Sequence, residues 1–103
     1  MKLKILEALK AMGGEPLMDL DRATNKQIQL TLRHICVEAL LRPLDTDVQL
    51  SVMQKFQMGE LAHKIYNATE EMDITPEEAV LIKERVGKSF PVLIVWNVSK
   101  LMG

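Results

Sequence analysis

"TPEEAVLIKERVGKSFPVLIVWNVSKLM", residues 75–102, opens with a readable helix start and closes in a segment that is apolar on nearly every side. Thr75-Pro76-Glu77-Glu78 forms a capping box, in which the hydroxyl and the carboxylate satisfy N–H groups of the first turn. Proline at the first helical position gives up no needed donor. Ala79, Leu81, Ile82 and Val86 supply an apolar side, while Lys83, Glu84 and Arg85 read as solvated. The spacing predicts a helix over 75–86, with Gly87 placed for a left-handed C-terminal cap. Ser89 and Pro91 then suggest a fresh start, and a further helix is predicted over 91–102. Valine, isoleucine and tryptophan at 92–96 also suit a strand. Helix is preferred because Val95, Val98, Leu101 and Met102 continue at helical spacing. Only Asn97, Ser99 and Lys100 are clearly polar on this helix. A helix apolar almost all round should be buried on most sides, so something must cover it.

The rest of the chain bounds what can do so. Its 103 residues are the size of one domain, and a domain that small holds one core. Apolar content of 48% and charged content of 26% are those of a globular protein, not of a disordered chain. Thirteen basic and fourteen acidic residues give a net charge of −1, which lacks the basic excess of a nucleic-acid groove. A single cysteine, Cys36, makes no internal disulfide and favours a reducing compartment. Lys4, Glu7 and Lys10 interrupt the N-terminus too often for a signal-peptide core. The longest apolar run, Phe90 to Trp96, has seven residues against the roughly 20 of a membrane helix. A cytoplasmic protein that is not in the membrane is expected.

Residues 1–29 read as an N-terminal arm. Leu3, Ile5 and, less regularly, Leu9 suggest alternation, whereas Leu6, Leu9 and the alanines suggest a helix. Gly13-Gly14-Glu15-Pro16 is a turn signal, and Ile28 and Leu30 alternate with glutamines. An irregular β-hairpin or arm followed by a short strand is one reading; a short helix and loop is the other. Residues 31–42 form the next helix, capped by Thr31, striped by Leu32, Ile35, Cys36, Ala39 and Leu40, and ended by Pro43. Another helix is predicted over 47–67, with Asp45, Thr46 or Asp47 as cap. Val48, Val52, Met53 and Phe56 lie on one side of it, and Met58, Leu61, Ala62, Ile65 and Tyr66 on another. The helix therefore either kinks near Gly59 or passes between two partners. The expected fold is mainly α: a small bundle of about four helices (31–42, 47–67, 75–86, 91–102) in a single domain over 1–103, the arm preceding a helical core at 30–103.

Candidate chemistry is sparse. Glu60 and His63 make an E-x-x-H pair, but di-iron bundles use that pair twice with two further glutamates, and here it occurs once. His34 and Cys36 lie on different helix faces, and Cys36 sits in an amphipathic stripe as a buried structural thiol would. Activation of Cys36 by His63 is the enzyme alternative. Asp45-Thr46-Asp47 lacks the glycine and glutamate of a calcium loop, Gly13-Gly14 lacks the lysine of a phosphate loop, and Asn97-Val98-Ser99 is a chance sequon. The acidic residues Glu70, Glu71, Asp73, Glu77 and Glu78 complement a helix dipole and keep the surface soluble. No catalytic residue, cofactor, metal ligand or small-molecule substrate is assigned.

Two surplus apolar faces in so short a chain point instead to a homo-oligomer or a protein partner. Seven methionines add the adaptable surface used at interfaces. Val92, Leu93, Trp96, Phe56 and Met58 are the candidate interface residues. "GEPLMD", "LTLRHICVEALL", "ELAHKIYNA" and "DITPEEAVLIKERVGKSFPVLIVWNVSKLM", spanning residues 13–102, resemble small proteins encoded in tailed-phage and prophage genomes. The resemblance implies an accessory protein working through protein contacts in a bacterial host cell, and it carries over no activity and no functional residue. The alternative is a small nucleic-acid-associated or transcriptional protein using Lys26, Arg33 and Arg42.

Overall fold

A computed structural model describes residues 2–21 and 24–102. Met1 and Gly103, at the ends of the span read as one domain, and Arg22 and Ala23, in the arm, lie outside the described residues. The chain forms β1 (Lys2–Lys4), β2 (Met18–Asp21), β3 (Lys26–Gln29), α1 (Leu32–Leu41), a 3-10 turn (Asp45–Gln49), α2 (Val52–Asn67), β4 (Glu71–Asp73), α3 (Pro76–Ser89) and α4 (Val92–Met102). The main packing runs α2 on α1, α1 on α3, and α3 on α4, with α4 also against β1. The four-helix expectation holds, and α2 and α4 are the outer members of that row.

Local chemistry sets most helix ends. Thr31 caps α1 by accepting from the His34 N–H, and Pro43 holds Arg42 extended so that the helix stops. Thr75 and Glu78 complete their capping box at 3.1 and 2.8 Å. Two boundaries differ from the reading above. α3 passes through Gly87 without a left-handed cap and ends at Ser89, because Pro91 forces Phe90 into an extended conformation. α2 begins at Val52, where Ser51 and Gln54 form a second capping box, at 3.1 and 2.8 Å, that the sequence already contained. The Asp45–Gln49 segment is a separate 3-10 turn. α2 runs unbroken through Gly59. Residues 92–96 are helical, not a strand.

Among the described residues the arm is a set of short β pairings and no helix. Alternation at Leu3 and Ile5 is that of β1, which pairs antiparallel with β4. The register sets Lys2 opposite Asp73 and Lys4 opposite Glu71, with Leu3 opposite Met72 on the buried side. Glu71 and Asp73 of the acidic cluster therefore lie within the ladder itself. β2 and β3 form the hairpin, while Gly14, at φ +92°, turns the chain between Lys10 and Pro16. Three leucines then lock the strands together: Leu9 N–H donates to Leu30 C=O, Leu30 N–H to Leu17 C=O, and Leu17 N–H to Leu9 C=O, each at 2.9 Å. Leu3, Ile5 and Leu9 are fully buried with Leu32, Ile35, Ile65, Ile82, Val86 and Val98, so the arm supplies part of the core.

Arg85 overturns its reading as a solvated residue, since it is only 6% exposed. Its Nε donates to the Ala39 carbonyl at 3.1 Å and its Nη2 to the Arg42 carbonyl at 2.7 Å, both at the end of α1. Nη1 and Nη2 reach the two carboxylate oxygens of Asp47 at 2.5 and 3.2 Å. One guanidinium thus satisfies two orphan carbonyls of a helix end and an acid of the next turn. The Arg85 hydrogen bond, with a further one from the Leu44 N–H, holds the Asp47 carboxyl below its usual range. A carboxylate whose pKa falls on folding adds stability above its unfolded pKa of about 4, and that stability is lost as pH drops through the folded value. In denaturant titrations, Arg85→Met is expected to cost about 1–3 kcal/mol, because it leaves the Ala39 and Arg42 carbonyls without their donor. The stability gap between wild type and Asp47→Asn should persist at pH 7 and shrink below about pH 4.

Candidate functional site

Glu60 and His63 are neighbours one turn apart on α2, but no third candidate joins them in a metal-holding group among the described residues. Glu60 and His63 are both exposed and line different grooves, Glu60 with Lys64, Glu77 and Leu81, and His63 with Leu41, Gly59 and Tyr66. His34 pairs with Glu38 one turn on, at 3.4 Å. Among the described residues no group of three or more His, Cys, Asp or Glu side chains is placed to hold a metal ion. Cys36 is buried, and burial pushes its thiol up to about 12. The nucleophilic form is the thiolate, which this site disfavours. Native Cys36 at pH 8 should therefore react with iodoacetamide roughly 100-fold more slowly than the unfolded chain. Equal rates, followed by mass spectrometry, would refute its burial.

The arginines considered for nucleic acid are engaged within the fold. Arg33 donates to the Ala68 and Thr69 carbonyls after α2. Arg42 donates to the Ser89 carbonyl at 2.7 Å, pairs with Glu38, and stacks over Phe90 at 4.6 Å. They join α1 to the ends of α2 and α3. Asn97, read as one of the few polar residues of α4, lies on its buried side. Its Oδ1 accepts from the Lys10 N–H at 2.8 Å and its Nδ2 donates to the Lys10 carbonyl at 2.9 Å, as a paired strand would. The sequon is thus occupied by a structural contact.

What covers α4 is now clear in part. α3 and β1 take Ile94, Val98 and Met102, and the turn at residues 7–14 comes up beside Trp96, Asn97 and Lys100. The other side stays open: Val92 is 82% and Trp96 40% exposed, with the Lys100 Nζ over the indole at 4.6 Å. Leu93 is partly buried. On α2, Phe56 is 62% exposed, but Met58 is only 7% exposed and belongs to the core with Leu61, Ala62 and Ile65. Met58 is therefore corrected from interface to core; at 100° per residue it points with those three, away from Phe56.

The apolar surface extends beyond the five residues named from sequence. Leu41, Val48, Val52, Met53 and Tyr66 are also more than half exposed. Tyr66, read from the sequence with Met58 and Leu61, thus lies instead on the side of Val52 and Phe56. Val52, Met53 and Phe56 belong to a stretch, Ser51 to Gln57, in which every residue is exposed. Leu41 and Val37 of α1 form a shallow groove of about 290 Å³ with Gly59, Ala62, His63 and Tyr66 of α2. The sequence showed α2 to have two apolar sides, which was the available signal; which side faced inward depended on the position of α1. No family model, curated protein or solved structure matches the chain.

Proposed function

We propose that this protein has no catalytic activity of its own and works by protein–protein contact, as a phage-type accessory protein in the cytoplasm of a bacterial cell. Assembly of virion parts and modulation of a host protein are the two roles that fit. The observation that carries the reading is the exposure of large apolar side chains on both outer helices, Val92 and Trp96 on α4 and Val52, Met53 and Phe56 on α2. A typical monomer's largest apolar patch is about 300–600 Å² and is often functional. Two such surfaces on 103 residues cost solubility unless a partner covers them. The buried, protonated thiol of Cys36, and the exposure of Glu60 and His63 outside any common pocket, support a non-enzymatic role. No helix is long and apolar enough to cross a membrane among the described residues, and the single cysteine suits a reducing cytoplasm.

A photo-crosslinking amino acid placed at 56 or 96 in the full chain, expressed in bacterial cells, tests this directly. Position 88, an exposed lysine late in α3, serves as control. Protein adducts are expected from 56 or 96 and not from 88. If neither apolar site yields an adduct above the control, contact through these surfaces is wrong.

A further inference from the structure

The two sides of α2 differ in a way that identifies what covers the open one. α1 has 10 residues and α2 has 16. The end of α1 at Leu41 lies beside Gly59 and Ala62. The first six residues of α2 therefore overhang α1 by about 9 Å at 1.5 Å per residue, and they are the residues exposed all round. The overhang is a formed helix, held by the Ser51–Gln54 capping box, and it carries Val52, Met53 and Phe56. Helix turns that pack on nothing are marginal in water, and an apolar face there has no partner within this chain.

The open side also has a register. Val52, Phe56, Gly59, His63 and Tyr66 are spaced 4, 3, 4 and 3, which keeps them on one narrow stripe at 100° per residue. Gly59 is near its centre. A Cβ built on Gly59 meets nothing within 4 Å, so no internal contact requires glycine, although glycine costs about 1 kcal/mol relative to alanine in a helix interior. A glycine at the middle of an exposed apolar stripe admits another backbone closely. The stripe is nearly symmetric about it: an antiparallel copy centred there sets Val52 opposite Tyr66, and Phe56 opposite His63, at the level of the buried Ala62. The overhang of one copy then fills the α1/α2 groove of the other, and the reverse contact is identical, as a twofold interface requires.

The area is sufficient. On the stripe and its groove, Leu41, Val52, Phe56 and Tyr66 are between 61% and 86% exposed. From two copies they offer on the order of 1,000 Å² in total, about what a specific interface must clear.

We infer that the α2 stripe is the surface on which a second copy of this chain docks, as an antiparallel, twofold homodimer with Phe56 seated in the partner's groove beside Gly59. This rests on the reading of the protein as one that works by contact, and it assigns that contact to α2 and to self-association, leaving Val92 and Trp96 on α4 outside the dimer.

Sedimentation equilibrium of the full chain across a concentration series tests it, with circular dichroism and thermal melts to confirm folding. The wild type is expected to be a dimer. Phe56→Glu and Gly59→Gln are each expected to weaken it by at least ~30-fold, as loss of an interface hot spot does, and to leave folded monomers, since both sites face solvent in the monomer. Trp96→Glu is expected to stay dimeric. A wild type that remains monomeric up to millimolar concentration overturns the inference. So does a dimer that Trp96→Glu dissociates and Phe56→Glu does not. If crosslinked adducts from 56 or 96 are still found in cells, contact as the mode of action survives either result; their absence removes it as well.

Discussion

The Arg85 guanidinium holds the ends of three segments in one place. It lies in the interior of α3, satisfies the carbonyls of Ala39 and Arg42 where α1 ends, and grips both oxygens of Asp47 in the 3-10 turn that follows. Removing a charge from water costs several kcal/mol unless its donors are filled, and here the filled donors fix the exit of α1. That exit sets where α2 begins, hence how far α2 overhangs α1. Arg42, turned back onto the Ser89 carbonyl and Phe90, ties the same corner to the start of α4. The exposed apolar start of α2 thus follows directly on a corner that a polar clasp fixes.

A second set of constraints works at the other end of the molecule. β1 and β4 are three residues each, too short to persist alone. They persist because Leu3 and Met72 are buried against the core while the two strands pair in register. The ring of leucine hydrogen bonds and the Asn97 amide on Lys10 then fasten the arm to the start of α1 and to α4. Burial of the arm's apolar residues explains how a 103-residue chain closes a single core with only four short helices.

The contact surface and the core obey the same rule with different outcomes. α2 is apolar on two sides, and α1 covers one of them, taking Met58, Leu61, Ala62 and Ile65 inward. The side with Val52, Phe56 and Tyr66 is left facing solvent, with a glycine at its centre that the monomer does not need. On α4 the core takes Ile94, Asn97, Val98 and Met102, and the open side is smaller and shielded in part by Lys100 over the Trp96 ring. These differences leave α2 with the larger exposed apolar surface.

The sequence by itself determined the helices, because caps, prolines and apolar spacing are local. Thr31, Thr75-Pro76-Glu77-Glu78, Pro43 and Pro91 place helix ends within a few residues, and the two-sided character of α2 is legible in its spacing. Ser51 and Gln54 were equally legible as a cap. Only the tertiary structure decided the rest, because it depends on residues far apart in the chain. The strand at 71–73 exists through its pairing with residues 2–4. Arg85 and Asn97 carry polar side chains that a local reading assigns to solvent, yet carbonyls 46 and 87 residues away in sequence bury them. Met58 and Phe56 are two residues apart, and a helix turns them about 200° from each other; the position of α1 alone made one of them core and the other surface.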